Sequence, residues 1–332
     1  MRFEKDWGRL GLKLSDWKEY RIGELIETIF SGGTPNTKNS DYWNGSLPWL
    51  SSGETRNRYI NVTEKTITDS GAQNSSTRQA LKGDVVMASA GQGYTRGQVS
   101  FLNIDTFINQ SVIAIRANEK VLDKKFLFYN LSSRYEELRA ISDSNSIRGS
   151  ITTKMVKSMN IRIPDLNTQK AIANTLSSID DKIETSKQIN HHLEEMATSI
   201  FENMFPNVSS GKSTIGNYII PKRGKNLLSK DAIVGKVPVV AGGLQPSTFH
   251  NIANTKSPVL TISASGANAG YVNLWHIPVW SSDSSYIDTS ITDNVYFWYV
   301  MLKKRQQEIY DSQTGSAQPH IYPKHIEIMP TI

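Results

Sequence analysis

The chain has 332 residues, enough for two domains of ordinary size, each with a core of its own. Hydrophobic content of 38% and charged content of 20% describe a folded chain rather than a disordered one, and with no cysteine there are neither disulfides nor thiolate metal sites. The net charge of +6 is uneven: +5 over 1–166 (23 Lys and Arg against 18 Asp and Glu), −3 over 167–204 (3 against 6) and +4 over 205–332 (11 against 7), which suits either two polyanion-binding blocks around a segment that binds none or ordinary scatter.

The first 17 residues, "MRFEKDWGRLGLKLSDW", carry charges throughout and lack the apolar core of a signal peptide. No run of about 18 apolar residues occurs anywhere, so the expectation is a cytoplasmic protein without a membrane span. The stretch "GGTPNTKNSDYWNGSLPWLSSGE" (32–54) is a Gly/Pro/Asn loop enclosing aromatics. Its Tyr42, Trp43 and Trp49 are expected to pack that loop onto a core. Next, "VVMASAGQG" (85–93) reads as an apolar strand running into a small-residue loop, and "FLFYNLSSRYEELRAI" (126–141) starts aromatic and helix-periodic and ends charged. Within "RGSITTKMVKSMNIRIPDL" (148–166), the alternation of "MNIRIP" predicts a short strand.

A long helix is expected over 167–205. Ile172, Leu176, Ile179, Ile183, Leu193, Ala197, Ile200 and Met204 fall on alternating steps of four and three, completed by Ser186 and Asn190, which is a coiled-coil seam. Pro164 and Asn167 mark the start and Pro206 the stop. At 1.5 Å per residue such a helix is roughly 57 Å long, too long to bury its seam without a partner; the alternative is a core helix packed on its own domain.

The segments after the helix repeat those before it. "STIGNYI" (213–219) echoes "YRIGELI" (20–26), "VLTISASGANAG" (259–270) echoes 85–93, and "YFWYVMLKKRQQEIYD" (296–311) echoes 126–141 at an offset of 170. Gly315, Ser316 and Pro330 in "TGSAQPHIYPKHIEIMPTI" match Gly149, Ser150 and Pro164 at an offset of 166, with "IEIMP" as the second strand.

No catalytic signature survives inspection. "SSGKST" (209–214) has Pro206 where a phosphate loop needs its first glycine, and "AGQGYTRG" (90–97) lacks the third glycine of a dinucleotide fingerprint. His191 and His192 point in different directions on a helix, and His250, His276, His320 and His325 lack zinc-like spacing. No Glu-x-Lys pair supports a nuclease, and no Asn/Asp-Pro-Pro-aromatic loop supports adenine methylation.

The chain resembles the specificity subunits of Type I restriction–modification systems. The resemblance rests on "WKEYRIGEL" (17–25), "GGTP…YWNGSLPWLSSGE", "INQSVIAI" (108–115) and "IPDLNTQKAIANTLSSIDDKI" (163–183). In the second copy it rests on "GANAGYVNLW" (266–275), "WSSDSSYI" (280–287) and "GSAQPHIYPKHIEIMP". It implies an α/β, more narrowly α+β, chain with two globular target-recognition domains separated by a coiled-coil-forming spacer helix. The expected segments are 1–164 (first domain), 165–205 (spacer helix) and 206–332 (second domain, the second spacer helix absent). Each domain would read one half of a bipartite double-stranded DNA target. The helix would set the spacing and dock the modification (methyltransferase) subunits, with Ile172, Leu176, Ile179, Ile183, Asn190, Leu193, Ile200 and Met204 as its subunit or coiled-coil interface.

By that resemblance the chain itself is non-catalytic and holds no cofactor. S-adenosylmethionine belongs to the modification subunits, which flip and methylate adenine, and a restriction subunit joins where unmodified DNA is cut. The missing helix is expected from a separate polypeptide, a second copy of this chain or the modification subunits. Candidate DNA contacts, all in polar loops between apolar segments, are Arg56, Arg58, Gln92, Tyr94, Arg96, Ser146, Arg148, Ser150 and Lys154 in the first domain. In the second they are Lys222, Arg223, Lys225, Ser265, Asn268, Tyr271, Gln318, His320 and Lys324. Arginine suits guanine and glutamine suits adenine, whereas serine and lysine more often hold phosphates. The alternatives are a glycan- or protein-binding pair of domains on a coiled-coil stalk, and a nuclease with an unrecognised site.

Overall fold

The computed structural model describes residues 16–331 except 92, 144–148, 316 and 317. It forms two compact units, Met1–Glu184 and Thr185–Ile332. Each combines mostly antiparallel sheets with short helices, an α+β arrangement. The division falls inside the long helix Leu166–Met204, whose first half belongs to one unit and whose second half belongs to the other.

In the first unit a five-stranded sheet has the spatial order Ile26–Ser31, Val112–Ala117, Val85–Ala88, Val99–Leu102, Tyr59–Ile60. The continuous apolar runs of its central strands follow from burial on both faces. Val85, Met87, Ile113 and Ile115 pack beneath the helices Lys124–Ser132, Tyr135–Asp143 and Thr153–Ser158. Val86, Val112 and Ala114 face a second, four-stranded sheet that contributes Leu50, Ala80 and Ile108. In that second sheet Trp43 and Trp49 meet edge to face at 5.1 Å. Their indole N–H groups donate to the Asn36 and Gly33 carbonyls (3.2 and 3.3 Å), tying the "GGTPN" loop to the sheet.

The second unit uses the same plan in smaller form. Along the strand Val259–Ser263, Leu260 and Ile262 pack on the helix Val295–Lys304 through Trp298, Met301 and Leu302. Val259 points the other way, toward Val240 and Val279 beside a three-stranded sheet.

The repeat is specified by backbone hydrogen bonds. Ile22 and Ile215, both fully buried, donate to Met159 O and Met329 O, each at 3.0 Å. The paired strands Lys18–Arg21/Asn160–Ile163 correspond to Ser213–Thr214/Pro330–Thr331. Arg134 grips Glu137 and donates to Asn160 O (2.9 Å), and Arg305 grips Glu308 and donates to Pro330 O (2.7 Å). Pro330 therefore occupies the place of Asn160, an offset of 170, and not that of Pro164 at 166. The expectation for "IEIMP" is corrected with it. Ile326 and Glu327 end the helix Pro323–Glu327, because Ile326 is needed in the core, and the strand begins only at Pro330.

The long helix begins at Leu166, capped by Asp165 rather than Asn167. The Asp165 carboxylate accepts from the Asn167 and Thr168 amides (3.0 and 3.1 Å) and the Thr168 hydroxyl (2.6 Å), satisfying donors that the first turn leaves open. Among the described residues no helix is long and apolar enough to cross a membrane.

Candidate nucleic-acid interface

One corner of each unit is assembled by a three-residue hub just before a central strand. In the first unit, Asn109–Ser111 bonds three loops: Gly32 N–H to Asn109 O (3.3 Å), Asn109 N–H to Leu50 O (3.1 Å), and Ser89 N–H to Ser111 O (2.8 Å). A fourth loop joins through Ile151 N–H to Ser89 O (2.8 Å). In the second unit Ser281–Asp283 does the same: Lys225 N–H to Ser281 O (2.9 Å), Ser282 N–H to Val240 O (2.8 Å) and Ala264 N–H to Asp283 O (3.1 Å), with Ile321 N–H to Ala264 O (2.9 Å). Buried backbone groups need such partners, so the hubs bring distant loops to one corner in a fixed order. Most of the sequence-predicted contacts lie on these loops.

In the first unit Arg56, Arg58 and Tyr94 line one open groove of about 390 Å³ together with Gln98, Ser132 and Tyr135. Tyr94 is 83% exposed. Its loop is pinned from the helix Tyr135–Asp143, where the Tyr135 hydroxyl donates to Tyr94 O (2.9 Å) and Arg139 to Gly93 O (2.6 Å). Arg56 pairs with Glu64 at 2.5 Å on the exposed surface. Ser150 and Lys154 are exposed; Gln92, Ser146 and Arg148 lie outside the described residues. Arg96 departs from expectation: it is buried, ion-paired with Asp143, and covered by Gly149. Gly149 has φ +56°, and a side chain there would collide with the guanidinium. Arg96 thus holds loops together rather than presenting itself to a ligand.

Arg58 has a second attachment. Its Nε donates to Asp180 Oδ2 on the long helix (2.8 Å), and its guanidinium lies over the Phe128 and Tyr129 rings at 5.0 and 5.3 Å. The Tyr59 and Tyr129 hydroxyls donate to the same carboxylate oxygen (2.7 and 2.9 Å). Burial opposes ionisation of Asp180, but the bonds from Arg58, Tyr59 and Tyr129 outweigh it and hold the carboxyl below its ordinary range. The second unit repeats the device, with Tyr299 donating to Glu194 (3.1 Å); burial and that carboxylate push the phenol up. Asp180 and Glu194 were not singled out from sequence. The available signal was the repeat, which aligns Tyr129 with Tyr299.

In the second unit Arg223 donates through Nη2 to Asp283 Oδ1 (2.7 Å), and the Ser265 hydroxyl meets Asp283 Oδ2. His320 bridges to Ser265 through the backbone and stacks on Tyr322. Lys222, Lys225 and Gln318 are exposed, Asn268 and His320 are half-buried, and Lys324 pairs with Glu327 (3.3 Å). Tyr271 sits under the Lys303 ammonium at 4.5 Å, which ties it to the helix Val295–Lys304. Among the described residues no three His, Asp or Glu side chains converge as metal ligands.

The long helix divides its seam. Ile172 and Leu176 pack on the first unit's core, as the core-helix alternative expects, alongside buried Ala173. Ile179, Ile183, Leu193, Ile200 and Met204 are 50–65% exposed, and Asn190 is exposed with them. Phe201, on another face, packs with Phe205 and Phe297 in the second unit (5.1–5.3 Å between rings).

The class that the fold defines is a duplicated α+β chain with a hub-organised loop corner in each unit and a long helix of half-exposed seam. The Type I restriction modification DNA specificity domain matches residues 14–195, and the chain belongs to that family. It is 25% identical to the Type I restriction enzyme MjaIX specificity subunit of Methanocaldococcus jannaschii, covering 98% of this chain and 84% of the relative. With the Type I restriction enzyme HindI specificity subunit of Haemophilus influenzae it shares 26% identity over 73% of this chain and 53% of the relative, so it spans about half that relative's length. Its fold is like that of the Type-I restriction-modification system S subunit from M. genitalium, with a TM-score of 0.57, 21% identity, and coverage of 90% of this chain and 80% of that one.

Proposed function

We propose that the chain is the non-catalytic DNA-recognition subunit of a Type I restriction–modification complex. Each unit reads one half of a bipartite double-stranded target. The long helix sets the spacer and docks the modification subunits, which supply S-adenosylmethionine chemistry at adenine. Where a restriction subunit accompanies the complex, it acts through the same assembly.

The observation that carries this reading is the duplicated corner within a chain of the specificity family: two hubs, Asn109–Ser111 and Ser281–Asp283, each gathering four loops that carry cationic and aromatic side chains. Phosphate contacts from exposed Lys and Arg give affinity, and loop side chains reaching base edges give sequence preference. The exposed seam from Ile179 to Met204 is the surface for helices of the modification subunits.

Binding of duplex DNA by the chain assembled with its modification subunits, titrated with salt, tests this. Affinity should fall steeply and linearly in log–log form through counterion release. A response that barely moves with salt would point to a glycan- or protein-binding module instead.

A further inference from the structure

Resting on the reading of the chain as a DNA-recognition subunit, we propose that Asp283 is a positioning residue that makes Arg223 the guanine-reading cation of the second unit. The proposal names a division of labour within one loop corner that composition leaves open, because Lys222, Arg223 and Lys225 are otherwise equivalent cations on one stretch of chain.

A carboxylate in contact with a polyanion-binding surface is electrostatically unfavourable, and in the first unit the equivalent hub residue is the neutral Ser111. The equivalence follows from matching bonds: Ser89 N–H to Ser111 O and Ala264 N–H to Asp283 O. Asp283 is not turned away or left spare. Its Oδ1 accepts from Arg223 Nη2 at 2.7 Å, and its Oδ2 meets the Ser265 hydroxyl. Both carboxylate oxygens are engaged, and the group sits between the loop after Lys222–Arg223 and the loop after Val259–Ser263. The Asp283 backbone is fixed by the hub through Ala264 N–H (3.1 Å), so its carboxylate is a rigid anchor.

The anchor changes what Arg223 can do. An arginine held at one Nη2 hydrogen is restricted in position, its remaining donors stay in the plane of the guanidinium, and the Arg223 side chain is 40% exposed. A fixed planar fork matches guanine O6 and N7, which demand two parallel donors in one orientation. A phosphate also takes the fork, but it accepts it from several directions around its oxygens and gains most from a cation's charge, which Asp283 already offsets at Arg223. Lys222 and Lys225, exposed and without a side-chain bond among the described residues, are the phosphate holders of the same corner.

The test uses the full chain with its modification subunits and reads relative methylation, or binding, for every base at each position of the target. The variants are Arg223→Lys, Asp283→Asn and Lys225→Ala. Arg223→Lys and Asp283→Asn should relax the same single G·C position in one half-site, by roughly 5- to 100-fold in discrimination, with the other half-site unchanged. Lys225→Ala should weaken all sequences alike and lower the salt slope by about 1. Arg223→Lys keeps charge and stem, so it reports even if Asp283→Asn fails to fold. Uniform weakening by Arg223→Lys would make Arg223 a phosphate contact and overturn the proposal, as would unaltered preference at every position. A wild-type complex without any sequence preference would instead remove the DNA-recognition reading on which the proposal rests.

Discussion

At the scale of single residues, the recurring device is a charged group that fastens one segment to another while standing beside the loop corner. Arg58, Arg96 and Arg223 all look alike in sequence as free cations in polar loops, yet each is fastened to a carboxylate: Asp180, Asp143 and Asp283. The differences lie in burial, which local sequence does not display. Asp180 allows a direct check. Its carboxyl is held below the ordinary range, so its contribution is complete above the unfolded value, near pH 4, and is lost as pH falls through the lower folded value. Asp180→Asn should lower the unfolding free energy by about 1–2 kcal/mol near neutral pH. That deficit relative to wild type should shrink below about pH 4 in urea titrations. A deficit unchanged by pH would mean that the charge contributes nothing to the anchor.

At the scale of elements, the long helix shows what periodicity can and cannot reveal. Steps of four and three located the helix to within a residue or two, and Pro206 stopped it as proline must, with Met204 the last helical residue. The same pattern did not distinguish the residues used internally from those left outside. Ile172 and Leu176 fit one seam with Ile183 and Leu193, but only the first pair packs on the first unit. Leu176→Ala should therefore cost about 2 kcal/mol of stability. Ile183→Ala should change it by no more than about 0.5 kcal/mol while weakening assembly with the modification subunits, measured by co-purification or calorimetry. Equal stability losses would show that Ile183 is part of a core. Residues 181–193 are exposed throughout, so four residues inserted near Ser186 add about 6 Å of helix without touching the bonds at Asp180 or Glu194. The preferred DNA spacer should lengthen and both half-sites should stay as they were. Altered bases with an unaltered spacer would contradict a ruler role for this helix.

At the scale of the whole molecule, duplication was the most legible feature, because each copy keeps the apolar strands and the aromatic helix that a small α+β core requires. The register of the second ending was not legible. "MNIRIP" and "IEIMP" share alternation and a proline, yet Met159 and Met329, through their bonds to Ile22 and Ile215, set the true correspondence. A pattern of alternate apolar residues over five positions is equally a turn of helix ending at a strand, and only the partner strand decides. The loop corners were legible in part. Small-residue loops marked where they lie, but the hubs Asn109–Ser111 and Ser281–Asp283 that gather them act through backbone atoms, which leave no signature in side-chain identity. The proposed function gives each of the two units of the chain one half of a split DNA target, for an adenine-methylating complex. It is tested most directly by mapping methylated adenines by long-read sequencing in cells carrying the modification subunits with and without this chain. A single bipartite motif of two short half-sites around a fixed spacer should appear only with the chain present; methylation that is absent, continuous in sequence, or unchanged when the chain is removed would contradict it.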